Sequence, residues 1–160
     1  MAEYKGFRDL IVYQKSYNLA MEIFEISKDF PKEEKYSLTD QIRRSSRSVP
    51  ANIAEAWVKR KYPKSFVSKL LDSLGEESET EVWIDMSKDC KYIDEQLHKS
   101  LLERTQEVAK MLSSMINNPD KFCNLFLLIF TNFYLLPTTY YLLPTTYYLL
   151  PTAYLVNSKK

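Results

Sequence analysis

Apolar residues recur at helical spacing in four stretches of the chain, each closed by a turn signal. From Phe7 to Lys28 they fall at Leu10, Tyr13, Tyr17, Ala20 and Phe24, with Val12 and Ile23 widening the face. From Tyr36 to Trp57 they fall at Leu38, Ile42, Val49, Ile53 and Ala56, while Arg43, Arg44 and Arg47 take another side of the same helix. A third stretch opens at Pro63, a residue suited to a first helical turn, and runs to about Cys90 on Val67, Leu71, Leu74, Ser78, Val82 and Met86. The fourth starts near Asp94, repeats Leu97, Leu101, Val108, Leu112 and Met115, and stops at Asn117-Asn118-Pro119. Four amphipathic helices with short connections predict an all-α fold, an antiparallel up-and-down four-helix bundle over residues 4–118.

Three local features refine that picture. Ser37, followed three residues later by Asp40, predicts a capped helix start. Pro50 removes one amide donor inside the second helix, but the apolar register runs through it, so a kink is expected rather than a break. Gly75 costs the third helix about 1 kcal/mol relative to alanine, which close approach of a neighbouring helix would explain.

Residues 119–160 read as a separate tail. No charged residue occurs from Phe122 to Ser158, and LLPTTYY appears at Leu135 and Leu142, with a degraded copy at Leu149. A proline in every repeat argues against a regular helix and for extended, polyproline-like or disordered chain. The repeat is also what a seven-base DNA repeat, CTACTAC, encodes when it is read through all three frames, so the tail is read as a translated simple repeat joined to a finished bundle. The apolar run from Phe122 to Leu136 falls short of the roughly 20 residues that cross a bilayer, and a membrane role is not expected.

Composition narrows the functional classes. Two glycines in 160 residues leave no room for a phosphate-cradling loop or a dinucleotide fingerprint. The net charge of +1 conceals a segregation: residues 40–70 hold 8 Lys/Arg against 2 acids, and residues 71–95 hold 2 Lys against 9 acids. Such polarity steers a polyanion to one face, aligns subunits head to tail, or leaves two solvated faces that attract each other. Cys90 and Cys123 are too few for a disulfide framework or a zinc site, and the first residues lack a signal peptide's apolar core, so a cytoplasmic protein is expected.

Catalytic patterns are weak. Glu95-x-x-His98 is half of a di-iron bundle motif, but His98 is the only histidine, so the pair is read as an exposed helix start. Glu76, Glu77, Glu79 and Glu81 read as a solvated acidic face, Cys90 as a core residue, and Trp57 and Trp83 as anchors. No catalytic residue, metal or cofactor is expected. The strongest candidate is the basic set Arg43, Arg44, Arg47, Lys59, Arg60, Lys61 and Lys64, because arginines in a row can pair with phosphates and the lysine-rich loop would extend the patch if it folds beside that helix. The competing reading has those arginines bridging to acids of the third helix or of another subunit.

SVPANIAEAW, at Ser48 to Trp57, resembles a signature of the 23S ribosomal RNA intervening-sequence protein family. FRDLIVYQKSYNLAMEIF, FPKEEKYSLTDQIRRSSRSVP and LGEESETEVWIDMSKDCKYI agree with it, so that the likeness covers about Tyr4 to Asn117. Ala56 stands where the family has glycine, and Lys91 where a Cys-Gly-Tyr run is common. The resemblance implies homo-oligomers, pentameric rings as the expected form, and no catalytic residues. It also implies kinship with the accessory variability determinants of diversity-generating retroelements, which bind nucleic acid and a reverse transcriptase. The function expected is thus a non-enzymatic nucleic-acid-binding or ribonucleoprotein accessory factor with ribosomal RNA, other nucleic acid or a reverse transcriptase as partner. The alternative is a structural interaction module whose charged faces only hold its own ring together.

Overall fold

A computed structural model describes residues 4–123. After a 3-10 turn at Phe7–Asp9 come α1 (Ile11–Ile26), α2 (Leu38–Lys59), α3 (Pro63–Asp89) and α4 (Glu95–Asn117), with further 3-10 turns at Ser27–Asp29 and Lys32–Tyr36 between α1 and α2 and at Pro119–Lys121 after α4. Cross-links between neighbours run in opposite residue order. Ser73 and Thr80 of α3 meet Val49 and Ser45 of α2, and Glu22 and Lys15 of α1 meet Arg104 and Glu107 of α4. The bundle is therefore antiparallel, each helix packs on its two neighbours in a four-cornered arrangement, and α1 and α3 occupy opposite corners. The repeats at Leu135, Leu142 and Leu149 lie outside the described residues.

Helix ends follow local chemistry. Asp94 caps α4, its Oδ1 accepting from the Leu97 amide at 2.7 Å. Ser37 does not cap α2: at φ −124°, ψ −110° its hydroxyl bonds no amide of the first turn and donates to Glu34 instead. Glu34 takes over the role, accepting from the Leu38 amide at 3.2 Å and from the Tyr92 hydroxyl at 2.9 Å. Those hydrogen bonds, led by the one from Ser37, hold its carboxyl below the usual carboxylate range. α2 passes unbroken through Pro50, which is buried, and Ala56 beyond it is fully buried in the core.

α3 ends in a Schellman turn, with the Tyr92 amide bonding the Ser87 carbonyl and the Lys91 amide the Lys88 carbonyl, both at 2.8 Å. The turn requires a left-handed residue, and Lys91 supplies it at φ 64°.

The inner face of α3 is not the apolar row read from the sequence. Phe66, Leu70, Ser73, Glu77, Thr80, Ile84 and Ser87 point inward, while Leu71, Val82 and Met86 remain 52%, 48% and 44% exposed. α1 is rotated in the same sense: Val12, Ser16, Leu19, Ala20 and Ile23 are buried and Tyr17 faces solvent. Gly75 lies on the outward side, where an added Cβ would meet nothing within 4 Å, so no neighbouring helix of this chain explains it. Cys90, expected in the core, is exposed at the end of α3.

These rotations divide the core into two apolar clusters. One contains Val12, Val49, Ile53, Phe66, Leu70, Val108 and Leu112; the other contains Leu19, Ile23, Leu38, Ile42, Ile84 and Leu101. On each helix the buried residues between them are polar: Ser16, Ser45 and Ser46, Ser73, Glu77 and Thr80, and Thr105. The layer is tolerated because its hydroxyls close on backbone carbonyls, Ser46 on Ile42 at 2.6 Å, Thr80 on Glu76 at 2.8 Å and Thr105 on Leu101 at 2.6 Å. Phe122 and Cys123, placed in the tail by the sequence boundary at Asn118, pack on the first cluster, with the Phe122 and Phe66 rings 6.1 Å apart.

Glu77 is the member of the layer without compensation. It is 1% exposed and its Oε1 has no hydrogen-bond partner. Burial, with help from neighbouring Glu81, pushes its carboxyl up to about 8. The folded state thus keeps a proton that the unfolded chain gives up near 4.5, so stability falls as pH rises from about 4.5 to about 8 and is level on either side. Glu77→Gln, which cannot ionise, should gain on wild type across that range, by on the order of 2–4 kcal/mol at its alkaline end. Denaturation curves of both proteins at about pH 5 and about pH 8 give the answer, and parallel behaviour would remove Glu77 as the cause. Lys91→Gly should stabilise by about 0.5–1 kcal/mol, since it relieves the left-handed strain at the cost of extra freedom in the unfolded chain. A lower melting temperature for that variant would contradict the strain.

Candidate nucleic-acid interface

Arg43 and Arg47, one turn apart on α2, lean across to α1 and meet over Phe24. Their guanidinium carbons lie 5.0 and 4.9 Å from the ring centroid, and the ammonium of Lys28 lies 4.8 Å from it. Three cations thus gather on one aromatic ring, whose electron-rich face offsets part of their mutual repulsion without neutralising them. Arg43 is oriented further by its Nε–H, which donates to Ser27 Oγ at 2.6 Å. Lys28 is paired with Glu25 at 2.5 Å, whereas no carboxylate of the described residues lies within 4.0 Å of Arg43 or Arg47. Two adjacent guanidinium groups, without a carboxylate of the described residues within 4.0 Å, offer the charge and the N–H donors with which arginine pairs with phosphates.

Arg44 projects elsewhere. It faces α3, where its field acts on Glu76, whose carboxyl is nevertheless raised by burial and by neighbouring Glu79. The sequence reading of arginines bridging to acids of the third helix thus applies only to Arg44, and there through space rather than as a close ion pair.

Lys59, Arg60, Lys61 and Lys64 sit around the α2–α3 turn, about 18 Å along the α2 axis from Arg47 at 1.5 Å per residue. The loop folds at the end of α2, not beside it, so one subunit carries two separate cationic sites. Lys59 pairs with Glu55 at 2.6 Å. Arg60 donates to the Trp57 carbonyl at 2.8 Å and lies 4.1 Å from the Trp57 ring centroid. Lys61 and Lys64 are exposed, and no carboxylate of the described residues lies within 4.0 Å of either.

Phe24, Ser27 and Lys28 were missed by the sequence reading. Phe24 and Lys28 are four residues apart on one face, a visible signal, but the crossing to Arg43 requires the packing of α1 on α2. His98 also differs from its exposed expectation: it is largely buried and its Nε2 lies 2.8 Å from Asp85 Oδ1 of α3, with Glu95 4.0 Å from Nδ1. This is an inter-helix tie. Among the described residues no three metal-ligating side chains converge, and no helix is long and apolar enough to cross a membrane.

If the ring positions the cations, Phe24→Leu should cost about 1 kcal/mol of stability, beyond any packing loss, from two partly exposed cation–π contacts. A double-mutant cycle with Arg43→Gln and Arg47→Gln separates the two contributions. Full additivity would mean that the ring is only apolar filling.

The chain matches the family described as 23S rRNA-intervening sequence protein over residues 8–114. It is also similar to a solved crystal structure, a protein of unknown function from the S23 ribosomal protein family of Bacteroides thetaiotaomicron. The two are 32% identical, with 67% of this chain and 96% of that one covered at a TM-score of 0.61. No curated protein matches. With α1 to α3 entire and nearly all of α4 inside the matched span, the chain belongs to the 23S rRNA-intervening sequence protein family.

Proposed function

We propose that this is a non-enzymatic, homo-oligomeric accessory protein that binds nucleic acid through the phosphate backbone. The observation that carries the reading is the pair Arg43 and Arg47, ordered on Phe24 and Ser27 yet without a carboxylate of the described residues within 4.0 Å. Charges of purely structural use are ordinarily matched, as Lys69 is between Glu55 and Asp72 at 3.0 and 3.1 Å. The family's name links it to ribosomal RNA, which makes ribosomal RNA fragments the natural probe.

Assembly rests on the opposite corners of the bundle. Tyr17 and Met21 on α1, and Val82 and Met86 on α3, are large apolar side chains exposed on helices at opposite corners of the bundle. Two unlike sticky faces on opposite sides favour head-to-tail contact, which closes into a ring when the rotation permits, as the expected pentamer would. A ring repeats the arginine pair once per subunit, so weak contacts add. The same apolar rows favour a second reading, an interaction module that builds only its own ring.

A salt series with ribosomal RNA fragments separates the readings. Binding should fall steeply with salt, and Arg47→Gln should flatten the log–log slope by about 0.7–0.9 for each subunit that meets a phosphate. Light scattering should give a multiple of the subunit mass, reduced to the monomer by Val82→Glu. A ring that binds no RNA at low salt leaves the structural reading in place.

A further inference from the structure

We infer that the α2–α3 turn is a binding site for single-stranded nucleic acid, in which a base stacks on Tyr62 and its neighbour lies in the groove floored by Pro63, Val67, Leu71 and Pro119. The inference rests on the nucleic-acid reading above and names the strand form and the contact that would select it.

Tyr62 is 67% exposed at the head of α3 and stacks on no aromatic ring of the described residues. The other large aromatic side chain of the turn is occupied, since Trp57 is buried, meets the edge of Tyr4 and has Arg60 beside its ring. An exposed ring held between Lys61 and Lys64 combines a stacking platform with two charges for the flanking phosphates, the combination that single strands recognise. Beside it a groove of about 530 Å³ opens to solvent, with Lys64 and Ser68 on its walls and aliphatic side chains beneath. Its one carboxylate, Asp72, is engaged by Lys69 at 3.1 Å.

The local charge agrees. The end of α2, the start of α3 and the turns after α2 and α4 carry Lys59, Arg60, Lys61, Lys64, Lys69 and Lys121 against Glu55, Asp72 and Asp120, six cations to three carboxylates. Stacking decides the strand form, because a duplex hides the faces of its bases inside the helix and shows a protein only edges and phosphates. The Phe24 site makes no such distinction, as it offers charge alone.

Fluorescence anisotropy of the full chain with a labelled oligothymidylate, and with a duplex of equal length, tests the inference. Wild type should bind the single strand more tightly than the duplex. Tyr62→Ala should weaken the single strand about 5- to 100-fold and leave the duplex unchanged, while Tyr62→Phe, which keeps the ring, should restore binding. Circular dichroism guards against misfolding, and Lys61→Ala should weaken both ligands through charge. Single-strand binding that ignores Tyr62→Ala, equal losses for both ligands, or a duplex preference would each overturn this inference and leave the nucleic-acid reading standing. No binding of either ligand at low salt would overturn both.

Discussion

The structure depends on buried hydroxyl groups that carry their hydrogen bonds into the core with them. Because Ser46, Thr80, Ser87 and Thr105 return their protons to carbonyls one turn earlier on their own helices, they enter the core with their hydrogen bonds already made. The polar face of α3 can then turn inward at small cost, and Ser73 adds a cross-link by donating to the Val49 carbonyl. Once that face is inside, Leu71, Val82 and Met86 have nowhere to go but out. The exposed apolar row and the buried Glu77 follow from one choice of rotation.

The charged surface is organised by competition for a few carboxylates. Glu55 serves Lys59 and Lys69, whose bonds depress its carboxyl, and Asp72 also serves Lys69. α1 and α4 match Glu22 with Arg104 and Lys15 with Glu107. Arg43 and Arg47, with no carboxylate of the described residues within 4.0 Å, meet the Phe24 ring instead. The result is a basic site whose geometry is fixed from within and whose charge remains available outside.

The sequence displays the four helices and their order clearly, because each carries a 3.6-residue apolar rhythm and ends at Pro, Asn or Gly-like turns. Rotation about the axis is less legible. On α3 the pair Phe66, Leu70 and the pair Val67, Leu71 have the same period and differ by one residue, and hydropathy cannot tell that the Ser73 and Thr80 hydroxyls further along are satisfied by backbone carbonyls. The cap on α2 escaped for a similar reason: Glu34 lies outside the helix, whereas Ser37 and Asp40 imitate a local capping box. For the basic set, helical angle placed Arg43 beside Arg47, but only the length of α2 separates both from Lys59 to Lys64.

Glu77 also gives unfolding a chemical stoichiometry. Near neutral pH the folded subunit carries a proton on this carboxyl, and the unfolded chain, with its ordinary acidity, does not. Each unfolding event therefore releases close to one proton into the buffer. The heat recorded in a calorimeter would then include the buffer's own enthalpy of protonation, so the apparent enthalpy of unfolding would differ between phosphate and amine buffers at the same pH.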